Sequence, residues 1–356
     1  MKKAGIVTIN DFNNYGNRLQ CYALQEALKK INIKPENIYN DNFDIRIRLK
    51  KIKNIIIKTI LNYDNQKNVN KRRKAFKSFN KNIIFSKYKI HCSKIKKDFS
   101  NEYDFFVTGS DQVWNLNLKS ISDIDFLHFA PDIKKNSYAA SFGVSEVDDF
   151  KKEYYKKMLS NYNSISVRED AGKKIIEDIT SRKDVEVLLD PTMLLDDKDW
   201  DKVIKKPKEL NNKKYILIYF LGELSEIRKK EILKLANELD CEIINVLDKN
   251  SVFYGTGPSE FLYLEKNAEL ICTDSFHSSV FAILYKRPFI TFGREGGNIN
   301  MNSRIDTLLS KFELKDRIYK GKITKENLLL DYSNAYRILT KEREKSFDFM
   351  KKWIID

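Results

Sequence analysis

The chain has 356 residues, 42% hydrophobic and 12% aromatic, which supplies a sizeable core and excludes a disordered polymer. Its length points to about two domains. The net charge is +15, yet residues 46–97 hold 18 Lys/Arg against the single acid Asp64, so the remainder is nearly neutral.

Residues 3–9 (KAGIVTI) read as a buried strand and 10–17 (NDFNNYGN) as a polar loop. Residues 18–30 read as an amphipathic helix with Leu19, Tyr22, Ala23, Ala27 and Leu28 on its apolar face. The basic block 46–97 reads as inserted helices. It contains the most hydrophobic short run, residues 54–61 (NIIIKTIL), which Lys58 interrupts far short of the roughly 20 apolar residues of a membrane span. The N-terminus carries no apolar run of signal-peptide length.

Further on, 103–115 is a strand running into a polar loop and 136–143 is another strand. Residues 164–179 change from alternation to helical period at Arg168, and 185–195 is a strand stopped by Pro191. The polar stretch 202–214, with Pro207, is the linker. Beyond it come strands at 214–222, 241–247 and 268–274, with helices from about 225 and near 258–266. From 324 onward the tail reads as helices without a strand. The pattern predicts an α/β chain of two Rossmann-like domains facing across a cleft. They span 1–205, with the insert 46–97, and 214–325, followed by C-terminal helices over 326–356. Ligands of such sheets bind beyond the carboxyl ends of the strands.

The four cysteines, Cys21, Cys92, Cys241 and Cys272, form no C-x-x-C pair and read as reduced, mostly buried thiols of a cytoplasmic protein. No zinc-ligand spacing is present, and no metal or cofactor is expected.

The post-strand loops concentrate functional groups. In Thr273–Ile290 (TDSFHSSVFAILYKRPFI) a strand ends, Asp274 or Ser275 can cap a helix, and His277 falls in that helix's first turn. The free amides there suit an anion, and His277 can donate to it or protonate a substrate; the plainer reading is a turn-capping histidine. Arg168, after SISV, can grip a carboxylate or phosphate, or simply pair with Glu169 or Asp170. Arg304 opens a helix after the glycine-bearing loop GREGGN, which matches neither common phosphate-binding fingerprint. Ser110, Asp111, Gln112, Trp114 and Asn115 offer hydroxyl, carboxylate, amide and a ring for a sugar; the alternative makes Asp111 a cap and Trp114 core. Asn14 and Asn17 add similar donors.

In chain order, NNYGNRLQCYALQ, VTGSDQVWN, YAASFG, SVRED, LLDPT, TDSFHSSVFAILYKRPFI and NSRI resemble the polysaccharide pyruvyl transferase family, over about residues 3–315. The resemblance implies a GT-B-like fold and transfer of pyruvate from phosphoenolpyruvate to a sugar of a surface polysaccharide or its precursor, as a cyclic ketal. It implies that His277 is catalytic and that Arg168 and Arg304 hold the donor; the backbone amides of Ser275–Ser278 are the candidates for its phosphate. Many members carry Arg two residues before the histidine, where this chain has Ser275; Arg304 or Arg294 would compensate. Asp111 is the candidate base, and Asn14, Asn17, Ser110 and Trp114 are candidates for the acceptor. Partners are then phosphoenolpyruvate and a saccharide acceptor; if the acceptor is lipid-linked, the basic block would meet an anionic inner-membrane surface, and solvated helix faces explain that block equally well. The block lacks a nucleic-acid module. The alternatives are a glycosyltransferase using a nucleotide sugar, for which no acidic ribose clamp stands out among residues 214–300, and a non-catalytic polymer- or membrane-binding relative.

Overall fold

Strands β1 (Lys3–Val7), β2 (Lys34–Asn40), β3 (Phe85–Ile90), β4 (Phe105–Thr108) and β5 (Lys135–Ser137) lie parallel in the order β3-β2-β1-β4-β5. The structure, a computed structural model, describes residues 1–9, 13–40, 63–91, 94–295 and 303–354. Short strands β6 (Ser166–Val167) and β7 (Glu186–Val187) continue beyond β5 through backbone bonds such as Ser137 N to Ser164 O at 3.0 Å. A second parallel sheet holds β8 (Tyr215–Tyr219), β9 (Glu242–Asn245), β10 (Leu270–Thr273) and β11 (Phe289–Thr291) in the order β11-β10-β8-β9. β8 (YILIY) is buried along its whole length, as a strand covered on both faces requires.

The first half carries helices α1 (Tyr15–Lys30), α2 (Tyr63–Phe79), α3 (Asp149–Leu159), α4 (Asp170–Thr180) and α5 (Asp197–Asp201). Residues 202–214 hold no regular element. The second half carries α6 (Glu226–Glu238), α7 (Pro258–Asn267), α8 (Phe276–Leu284), α9 (Ser303–Lys311) and α10 (Ser333–Lys351). In each sheet the chain winds one way and then the other, so the order reverses between β1 and β4 and between β8 and β10. Such reversals open a crevice at the strand carboxyl ends.

The two halves share a core. The Tyr15 ring stacks on Phe261 with centroids 4.3 Å apart and meets Tyr219 edge-on at 5.7 Å. From α10, Arg343 Nε and Nη2 donate to the carbonyls of Met193 at 2.6 Å and Leu195 at 2.7 Å, tying the C-terminal helix back to the first half.

Three sequence expectations change. α1 begins at Tyr15 rather than Arg18, because Asn14 caps it by accepting from Asn17 N at 3.2 Å. β2 was not anticipated: its sequence KPENIYN is polar and contains Pro35. The basic block is not helical throughout, since β3 follows α2; its residues 46–62, with the run 54–61, lie outside the described residues. α2 also clasps the second half. The buried Arg72 donates to Tyr15 Oη, to Asn13 O at 3.0 Å and to Tyr254 O at 3.3 Å, while Asn68 Nδ2 donates to Lys249 O and Ser251 O, each at 3.2 Å.

Cys21 and Cys272 are buried free thiols and Cys241 is a half-buried one; Cys92 lies outside the described residues. Among the described residues no helix is long and apolar enough to cross a membrane.

Candidate active site

Loops from both reversal points line one cavity of about 310 Å³. The first half contributes Asn14, Asn17, Asp111 and Gln112; the second contributes Leu221, Ser275, His277, Arg294 and Arg304. The volume sits at the lower end of the range of about 300–1,000 Å³ for small-molecule sites.

The start of α8 forms one wall. Ser275 holds the N-cap position but makes no capping bond. The Asp274 carboxylate does not cap either: it accepts from Leu221 N at 2.6 Å, Gly222 N at 2.8 Å and Arg294 Nε at 3.2 Å. The sequence expected one of these two residues to cap the helix. With no side-chain acceptor among the described residues for its first amides, α8 has a positive, donor-rich end facing the cavity.

His277 sits in that first turn, 8% exposed, with Nε2 3.6 Å from Asp190 Oδ2. Its ring presses on α1 so closely that a Cβ at Gly16 would overlap it, so Gly16 is what lets the two halves meet around the imidazole. Asp190, fully buried, anchors the neighbourhood. Its Oδ1 accepts from Thr192 N at 3.0 Å and Thr192 Oγ1 at 2.6 Å; its Oδ2 accepts from Ser110 Oγ at 3.0 Å and Arg168 Nη1 at 2.7 Å. Burial pushes its carboxyl up, but His277, Arg168 and Thr192 together hold it well below the usual carboxylate range.

Asp111 reaches the cavity from a turn with Gly109 at φ 111° and Asp111 itself at φ 74°. It accepts from Asn17 Nδ2, from Gln112 N at 2.9 Å and from Arg168 Nη2 at 3.4 Å. Burial raises this carboxyl too, and Arg168, His277 and Arg304 outweigh it, so the group stays ionised at neutral pH.

Arg304, in the first turn of α9, is 7% exposed. Among the described residues it makes no ion pair, and its Nε has no partner. The Gln112 amide oxygen, turned towards it, accepts from Nη1 and Nη2 at 3.2 Å each. Burial first, then the neighbouring Arg168, push its guanidinium down to about 10, outweighing Asp111 and Glu169. A buried cation held by a neutral amide is a costly arrangement in the absence of an anion.

The structure therefore brings Asn14, Asn17, Asp111, Ser275, His277 and Arg304 to one cavity. Four other candidates stand behind it. Arg168, 3% exposed, is spent on Asp190 and Asp111 beneath the Phe276 ring, 4.4 Å from its centroid. The Ser278 side chain turns away and donates to Glu265 Oε1 at 2.5 Å, so only the backbone amide of this residue belongs to the helix end. Ser110 donates to Ala139 O and Asp190, each at 3.0 Å. Trp114 is 0% exposed against Phe126, Phe142 and Tyr162, so its ring belongs to the core and is not a sugar platform. Sequence reasoning missed Gly16 and Asp190, although both lie inside motifs quoted from it; an Asp-Pro-Thr after a strand is a recognisable capping signal.

Two doubly wound sheets joined around a shared cleft define a GT-B-like α/β protein. A UDP-N-acetylglucosamine 2-epimerase, so described, from Listeria monocytogenes has a similar fold, with TM-score 0.50, 10% identity and coverage of 98% of this chain and 90% of that one. UDP-N-acetylglucosamine 2-epimerase from Rickettsia bellii aligns with TM-score 0.46, 12% identity and coverage of 99% and 98%. The E. coli heptosyltransferase WaaC aligns with TM-score 0.39, 11% identity and coverage of 83% and 90%. No curated protein matches the chain. The model of the polysaccharide pyruvyl transferase family matches residues 14–296, and the chain belongs to that family.

Proposed function

We propose that the cavity transfers pyruvate from phosphoenolpyruvate to two hydroxyls of one sugar, forming a cyclic ketal and releasing phosphate. The observation that carries this reading is Arg304, a buried guanidinium without a carboxylate partner among the described residues, beside an uncapped helix N-terminus. Together these groups ask for a small, multiply charged anion. Arg304 and Arg294 take the donor's carboxylate, and the first amides of α8 with Ser275 take its phosphate.

The chemistry proceeds in two additions. One sugar hydroxyl adds to C2 of the enol while C3 gains a proton, giving a tetrahedral carbon that still bears phosphate. Phosphate then leaves with the C2–O bond electrons, and the second hydroxyl closes the ring and loses its proton. His277 supplies the proton to C3 or to the departing phosphate, and Asp111 takes the proton of the attacking hydroxyl as its C–O bond forms. Arg168, Ser110 and Asp190 are positioning residues: they hold Asp111 and His277 in place from behind. The exposed cations of α2 and β3 let the protein rest on an anionic bilayer carrying a lipid-linked acceptor, which salt-sensitive binding to anionic vesicles would check.

The test is thermal unfolding with phosphoenolpyruvate, UDP-sugars and GDP-sugars. A ligand at 100 times its Kd stabilises by about 2.7 kcal/mol. Stabilisation by phosphoenolpyruvate is expected; a response to nucleotide sugars alone would replace this reading with glycosyl transfer.

A further inference from the structure

A second cavity, of about 360 Å³, opens beside the first. Leu118 lines both. The Gln112 amide that holds Arg304 in the first cavity lies 2.7 Å from the amide of Asn115, which lines the second. Gly143, at φ 67°, leaves the space this Gln112 side chain occupies, since a Cβ there would overlap it.

The two cavities differ in charge. The first sets Arg294, Arg304 and His277 against the carboxylate of Asp111. In the second the one cation among the described lining residues, Lys151, is matched by Asp148 at 2.6 Å and also donates to Asn117 Oδ1 at 2.6 Å, while Glu146 adds a further negative charge. The remaining lining combines the Asn115 and Asn117 amides with apolar Val144, Val147 and Leu118. Phe150, next to Lys151 in sequence, is 81% exposed and lies outside the cavity's lining residues. Paired amides and carboxylates over an apolar floor suit an uncharged polyol: the hydroxyls meet the polar groups and the C–H surface meets Val144, Val147 and Leu118.

We infer that this second cavity seats the acceptor as a neutral saccharide ring, with any phosphate-bearing carrier held outside it. The inference rests on the proposed pyruvyl transfer, for which a sugar hydroxyl must approach the first cavity from a neighbouring seat.

The experiment is saturation-transfer NMR with the methyl glycosides of galactose, mannose and N-acetylglucosamine, each with phosphoenolpyruvate present. The native protein, Val147→Trp, which fills the cavity, and Phe150→Ala, which changes only an exposed side chain, are compared. At least one glycoside should receive saturation from the native protein, keep it in Phe150→Ala, whose side chain lies outside the lining, and lose it in Val147→Trp. Stabilisation by phosphoenolpyruvate should persist in both variants, so a failed donor reading shows itself separately as no stabilisation of the native protein. Glycoside binding that ignores Val147→Trp would overturn the inference. So would a protein that phosphoenolpyruvate stabilises but no glycoside contacts, or a galactose 1-phosphate that binds more tightly than the methyl glycoside and loses that binding in Val147→Trp.

Discussion

Replacing Arg304 with Met should stabilise the protein and abolish donor binding together. The guanidinium is brought down from its ordinary range to about 10 by burial and by Arg168. At about 1.36 kcal/mol for each pH unit a titration moves, the charged form carries about 3 kcal/mol of uncompensated cost. A cation with a depressed titration destabilises the fold at all pH values well below about 10, and that cost fades as pH rises from about 10. Met removes the charge and keeps a long apolar stem, while forfeiting the two bonds to Gln112. At about 2 °C per kcal/mol for a chain of this size, Tm should rise by about 2 to 6 °C at neutral pH. Phosphoenolpyruvate should raise the native Tm by about 5 °C at 100 times its Kd and leave the variant unmoved. Differential scanning fluorimetry with and without phosphoenolpyruvate reads both effects. A variant that melts lower without ligand and still responds to phosphoenolpyruvate would refute the view that Arg304 is a cation waiting for an anion.

Three further outcomes follow from the same geometry. Gly16→Ala forces a Cβ into the His277 ring, so turnover should fall by about 100-fold, as a roughly 1 Å misplacement can cost, while donor-induced stabilisation survives; unchanged turnover would contradict the packing. Asp190→Asn leaves the buried Arg168 with only the longer contact to Asp111, and urea unfolding at pH 7 should show a loss of about 3–5 kcal/mol. Because the Asp190 carboxyl is held low, its stabilisation is present above the usual carboxylate range and disappears as pH falls through its own titration, so the two proteins should converge in acid. Asp125 behaves oppositely: burial lifts its carboxyl to about 7 against bonds from Ser122 and Asn40. Its protonated form is the favoured one, so stability declines as pH climbs from about 4 through 7. Asp125→Asn should therefore match the native protein near pH 4 and exceed it at pH 8, and equal curves at both would argue against the buried acid.

The strands beside the cavity could be read from sequence because KAGIV, FFVT, YILIY and LICT are short apolar runs followed at once by polar loops; the strand orders that set the reversal points could not. β2 could not, since KPENIYN lacks both alternation and a hydrophobic run and gains its place from pairing with β1 and β3. Types of side chain were legible at the site, but their directions were not. Trp114, Ser110 and Ser278 share loops or turns with cavity residues and point into the protein instead, which only the turn geometry decides. Arg168 was legible as a carboxylate-gripping residue; that the carboxylates are the chain's own, Asp190 and Asp111, depends on contacts with residues 22 and 57 positions away. Gly16 matters for the same long-range reason: nothing within α1 requires a glycine, and the requirement comes from His277 in the other half.

The central claim is tested most directly by incubating the protein with phosphoenolpyruvate labelled with 13C at C2 and the glycosides above, and following the label by NMR. The account predicts that the label moves from an enol carbon to a ketal carbon attached to the sugar, with one phosphate released per ketal, and that His277→Ala stops this. Label that stays in phosphoenolpyruvate while the same protein transfers sugar from UDP- or GDP-hexose would contradict it.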